Sequence, residues 1–141
     1  MLNAIRVEQL IAELGDPNKQ RRAAYILVSL GKYVVHDLLE GMNGQSEEVL
    51  FSIAAVIVQI GPQAVEALIK ALEWRTDPAC QRIMIEILGE IGDVRAIKPL
   101  REILAADDQN LNCAVVDALL SISCQQLRFM LQTKPLLSIA N

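Results

Sequence analysis

Apolar residues in this chain fall at 3-4 spacing in short runs, and the runs recur. The pattern is clearest between residues 77 and 107. Ile83, Met84, Ile87, Leu88 and Ile91 trace one face of a helix. Asp77 stands where an N-cap belongs, and Pro78 follows at the first helical position, where its missing N–H costs nothing. Gly92 comes after the last apolar position, as a left-handed helix terminator does. Beyond Asp93 a second run, Ala96, Ile97, Leu100, Ile103 and Leu104, predicts a second helix with Pro99 in its first turn or so.

The same register transposes onto three further segments. First-helix positions hold Ala23, Ile26, Leu27 and Leu30, then Ile53, Val56, Ile57 and Ile60, and finally Val115, Ala118, Leu119 and Ile122. Second-helix positions hold Val35, Leu38, Leu39 and Met42, then Val65, Leu68, Ile69 and Leu72, and finally Leu127, Met130 and Leu131. The openings at Asp16, Ser46, Asp77 and Asp108 lie 30, 31 and 31 residues apart. A period of this length, built from two short helices, predicts a stacked solenoid rather than a fold around a pocket. The expected repeats span about 16–45, 46–76, 77–107 and 108–134. Val7, Leu10, Ile11 and Leu14 repeat the second-helix spacing, so an orphan second helix at about 4–14 is expected to cap the N-terminal end. Unit four departs from the pattern: Ser123 replaces the glycine and Cys124 the polar turn residue. The apolar tail, 135–141, is expected either to fold back over the last helix pair or to meet another chain.

The string Asp77-Pro78-x-x-x-Arg82, Ile87-Leu88-Gly89-Glu90-Ile91-Gly92-Asp93, Arg95-Ala96-Ile97-x-Pro99-Leu100 resembles the HEAT-like repeat of phycobilisome-lyase-type proteins. Unit one keeps Asp16-Pro17, Arg21, Ala23-Ala24 and Leu30-Gly31; unit two keeps Ala54-Ala55 and Ile60-Gly61-Pro62. The resemblance covers about residues 14 to 132. It implies an all-α, short right-handed α-solenoid of about four HEAT-like helical hairpins with an N-terminal capping helix. Members of that repeat class include chromophore-lyase subunits and adaptors, so the resemblance speaks to fold far more than to function.

Of the 141 residues, 52% are apolar but only 4% aromatic, so the core is built from Ile, Leu, Val and Ala, which let short helices approach closely. The net charge of −4 argues against a general nucleic-acid binder. The apolar run Val49–Val58 is too short to span a bilayer and is bounded by Glu47-Glu48 and Gln59. The N-terminus lacks a signal-peptide pattern. A cytoplasmic protein with no membrane partner is therefore expected. Cys80, Cys113 and Cys124 show no C-x-x-C spacing and fit a reducing compartment.

Candidate chemistry is sparse. His36 is the sole histidine, and Asp37 beside it points elsewhere on a helix, so no catalytic triad assembles. Glu47-Glu48 and Asp107-Asp108 open helices, where negative charge complements the helix dipole. No phosphate loop, metal spacing or nucleophile motif is present, so no cofactor, no metal and no enzymatic activity are expected. What remains is the outward side of the second helices: Tyr33, Asp37 and Glu40; Gln63, Lys70 and Trp74; Lys98 and Arg101; Phe129 and Gln132. Along this ridge charge passes from acidic to basic, and Trp74 and Arg101 are of the types that dominate binding at interfaces. The expected function is a non-catalytic module that binds a protein partner along the ridge. The alternatives are a component or chaperone of a phycobilin-lyase-type system acting with another subunit, and a HEAT-like DNA glycosylase, which the acidic total disfavours. End-to-end pairing into a homodimer through the C-terminal repeat or tail is a further expectation. The stacking itself is testable: Ile57→Asp or Leu88→Asp places an unpaired charge between repeats and costs several kcal/mol, read as loss of the cooperative melt followed by circular dichroism.

Overall fold

The computed structural model describes residues 4–74 and 77–133, with side chains from 6 to 74 and 77 to 132. The described part is all α, without a strand: α1 (Ala4–Glu13), α2 (Gln20–Leu30), α3 (Val35–Glu40), α4 (Glu47–Ile60), α5 (Val65–Trp74), α6 (Pro78–Ile91), α7 (Ile97–Ala105) and α8 (Gln109–Thr133). Short 3-10 turns at Gly31–Val34, Gly61–Ala64 and Val94–Ala96 lead from each first helix into its second.

The four openings act as their residue types require. Oδ1 of Asp16, Asp77 and Asp108 accepts from the backbone N–H two residues on, at 2.9, 3.1 and 3.0 Å, and Ser46 Oγ accepts from Val49 N at 3.4 Å. At Ser46, Asp77 and Asp108 the bond satisfies a donor that the first turn of the helix leaves without an intrahelical partner. In unit one Asp16 closes a tight turn through Pro17 and α2 proper begins only at Gln20. Gly31, Gly61 and Gly92, which end α2, α4 and α6, have φ of 58°, 79° and 76°, where a side chain would be strained. Asp107 also takes a positive φ, 55°, and its carboxylate accepts from Asn112 Nδ2 at 2.8 Å.

The helices stack in two rows. The first helices pack in succession, α2 on α4, α4 on α6 and α6 on α8; α1, α3 and α5 form the start of the second row. α1 touches both α2 and α3, which is the place of an orphan second helix capping the stack. The core runs between the rows: Val7, Ile11 and Leu14 at the capped end, then Leu27, Leu38 and Leu39, Ile53, Ile57 and Leu68, and Met84, Leu88 and Leu100, all buried. The stretch 47–74 is, by length and composition alone, long and apolar enough to cross a bilayer, as is 109–132. In the first of these, Leu50, Ile53, Val56, Ile57 and Leu68 are buried in the stack, so its hydropathy serves the core.

Unit four is not a hairpin. α8 continues without a break through Ser123 and Cys124 to Thr133, and Leu127, Met130 and Leu131, expected in a second-helix core, are 58%, 59% and 62% exposed. The reason lies on α6. Ser121 Oγ and Gln125 Nε2 donate to Gly89 O at 3.0 and 3.1 Å, Gln125 Nε2 also reaches Glu90 O at 3.3 Å, and Gln126 Nε2 donates to Gly92 O at 3.1 Å. The last carbonyls of α6 are thus bonded by side chains that only a continuing helix can bring to them. No glycine stands at 123 to end the helix. The tail, 135–141, lies outside the described residues.

α6 and α8 come close together at Gly89, where a β-carbon would fall 2.8 Å from Ala118 Cα and 3.0 Å from its Cβ. A second link crosses from unit three to unit two. Arg95 donates from Nε and Nη2 to Asp93 at 3.1 and 2.8 Å, from Nη2 to Pro62 O at 2.9 Å, and from Nη1 to Glu66 at 3.4 Å. These bonds hold the Asp93 carboxyl below the ordinary aspartate value, because the guanidinium favours the charged form.

Gly89→Ala forces two backbones apart and is expected to cost about 1–3 kcal/mol, seen as a lower denaturant midpoint at unchanged helical content. Because the folded-state pKa of Asp93 is depressed, its contribution is present above the unfolded value and is lost as pH falls through the folded one. Wild type should therefore melt above Asp93→Asn at neutral pH. The two melting temperatures should converge as pH drops below the ordinary value of 3.8.

Candidate interaction surface

The second helices are short: α3 has 6 residues, α5 has 10 and α7 has 9. Each turns one face inward: Val35, Leu38 and Leu39; Val65, Leu68 and Ala71; and Leu100. The remaining positions, which carry the predicted ridge, face outward. Glu40, Gln63, Lys70, Lys98, Arg101 and Gln132 are exposed, as are Tyr33, Trp74 and Phe129, while Asp37 is half-buried.

The fold does not string these residues into one line; it gathers them into separate places. Asp37, Glu40 and Trp74 meet in a hollow formed by three helices, floored by the buried Val7 and Ile11 of α1 and edged by Glu8 and Asn43. Gly41 makes the approach possible, since a β-carbon there would lie 2.7 Å from Ile11 Cδ1. Three acidic residues, Glu8, Asp37 and Glu40, therefore line one hollow with a half-exposed indole. His36 Nε2 lies 3.1 Å from Glu40 Oε1 on the exposed side of α3. The order of residues sets Trp74 beside Lys70, one helical turn away, but the packing of α5 against α3 carries the indole to the acidic end.

Lys98 and Arg101 line a shallower hollow with Val94, Ile97, Glu102 and Ala105, all on the third turn and α7. Tyr33 and Gln63 belong to the 3-10 turns. The Lys32 ammonium stands 5.5 Å from the Tyr33 ring centroid, and Gln63 Oε1 lies close to Gly31. Phe129 and Gln132 do not extend the ridge, because unit four has no second helix. They line a polar hollow on α8 with Ser121, Cys124, Gln125 and Arg128.

A further groove lies on the first-helix side, where sequence reasoning looked only for core. It runs between α2 and α4, is mainly apolar, and is lined by Leu14, Pro17, Ala24, Val28, Phe51 and Val56 among others. Gln20 Nε2 donates to Ser52 Oγ across it at 2.7 Å. Phe51 is 59% exposed there. An aromatic residue off the core stripe of α4 was the one signal available in the sequence.

Among the described residues no three His, Cys, Asp or Glu side chains converge as metal ligands. Cys80 is buried with its Sγ 4.0 Å from Met42 O, while Cys113 and Cys124 are exposed.

No curated protein matches this chain. Residues 35–120, from the start of α3 into α8, match the family described as HEAT repeats. That span is well over half of the chain and takes in the helix pairs whose packing is described above. Stacked helix pairs of a 30- to 31-residue period and this match agree, and the chain belongs to the HEAT repeat family.

Proposed function

We propose that this protein is a non-catalytic binding module that holds a segment of a partner protein along its second-helix side. HEAT repeats generally mediate protein–protein interaction, and stacked repeats present extended surfaces of the kind such contacts use. The observation that carries the finer reading is the convergence of Glu8, Asp37, Glu40 and Trp74 from three helices on one apolar floor. A hollow lined by a half-exposed indole and three acidic residues suits a basic side chain with an apolar stem, which can stack on the indole and pair with the charges. The basic positions Lys70, Lys98 and Arg101 lie further along the same row of helices. The fitting partner is a segment basic at one end and acidic at the other. The lyase-component alternative rests on the resemblance of the repeats to phycobilisome-lyase-type proteins; a bilin-induced spectral shift with the purified chain would bring it forward.

The test compares wild type with the folded variant Lys70→Glu, Trp74→Ala, Arg101→Glu as bait in the native host's lysate, with helical content and melting matched beforehand. A protein held by wild type and lost at least about tenfold from the variant supports the surface, since indole and guanidinium anchors of this kind are each worth more than 1 kcal/mol. Equal capture removes the second-helix side and moves attention to the α2–α4 groove.

A further inference from the structure

The inference concerns α8 and stands on observations independent of the second-helix surface. α8 has two apolar faces. One, with Leu111, Ala114, Val115, Ala118 and Ile122, is buried against α6 and α7. The other lies nearly opposite and is open. Cys113, Val116, Leu120, Ser123, Leu127 and Met130 follow one another at intervals of three, four, three, four and three residues, and every one is exposed. Val116, Leu120, Leu127 and Met130 are 41%, 59%, 58% and 59% exposed. An uncharged stripe at alternating three and four spacing is the seam by which one helix packs along another at a shallow angle. A helix that only ended a stack would need one apolar face.

We propose that this seam pairs with the same seam of a second copy of this chain, α8 against α8, antiparallel about a two-fold axis. Two features select that occupant. First, the seam is self-complementary when reversed: with Leu120 level with the partner's Ser123, Val116 meets the partner's Leu127 and Cys113 meets the partner's Met130. Second, the flanking charges agree only in that orientation. Asp117 and Arg128 are 11 residues apart, about 20° in helical phase, so they flank the seam on the same edge. Reversal about the two-fold axis brings that edge of each helix against the same edge of the other. Asp117 then lies within about 3 Å, along the axis, of the partner's Arg128. Helical side chains lean toward their own N-terminus, which carries the two groups toward each other. The axis repeats the pair, giving two opposite-charge contacts. A parallel arrangement would set this edge against the opposite edge of the partner, so Asp117 and Arg128 would not meet across the seam.

The test is a charge exchange read by sedimentation velocity over a concentration series. Wild type should dimerise. Asp117→Arg alone and Arg128→Asp alone each create two like-charge contacts and should weaken the dimer by at least ~10-fold. Mixed one to one, they form two opposite-charge contacts and should recover a heterodimer near wild-type affinity. Leu127→Glu, at a position already exposed in the single chain, should abolish the dimer without loss of helical signal. Wild type that stays monomeric up to ~1 mM overturns the proposal. So does a dimer that survives Leu127→Glu, or a pair of charge variants that does not recover on mixing.

Discussion

Each helix pair in this chain carries apolar surface that it cannot bury alone, and the need to cover it organises everything else. α6 shows the constraint at full strength. It lies between α4 and α8, and Cys80, Ile83, Met84, Ile85, Ile87, Leu88 and Gly89 are all buried. Burying a leucine or isoleucine side chain is worth about 1.5–3 kcal/mol, so the stability of one repeat resides largely in its neighbours. The small residues are placed by the same demand. Gly89 lets its backbone come close to that of Ala118, and Gly41 leaves room for the end of the Ile11 side chain.

Polar groups then decide how the stack ends and how its members are linked. Arg95 of unit three bonds to a carbonyl and a carboxylate of unit two, as well as to Asp93, so one side chain ties a turn to the turn before it. Just before that turn, at the C-terminal end of α6, the carbonyls of Gly89, Glu90 and Gly92 take donors from α8. Such carbonyls are costly to leave unpaired away from water. The bonds that satisfy them hold α8 helical past the point where the earlier repeats turn.

The surfaces that result differ in kind. The second-helix side offers a hollow lined by an indole and three acidic residues and, further along, basic residues. The first-helix side offers an apolar groove between α2 and α4. The far end offers the exposed stripe of α8. Each follows from where helices meet, because outward positions that are polar or aromatic by sequence become a hollow only when elements bring them together.

Much of the architecture was legible in the sequence. Helical periodicity, caps and terminators are local, so the 3-4 spacing, the openings at Asp16, Ser46, Asp77 and Asp108, and the glycines at 31, 61 and 92 were sufficient to place the helix pairs and to name buried residues such as Leu27, Ile57 and Leu88. Two things were decided only by tertiary structure. Ser123-Cys124 can turn or continue with little local preference, and the choice depends on α6 carbonyls more than 30 residues away in sequence. The neighbours of Trp74 were equally hidden: adjacency to Lys70 is written in the chain, but its place in one hollow with Glu8, Asp37 and Glu40 depends on how α1, α3 and α5 pack. Local pattern determines which face of a helix seeks burial; only packing determines what meets it there.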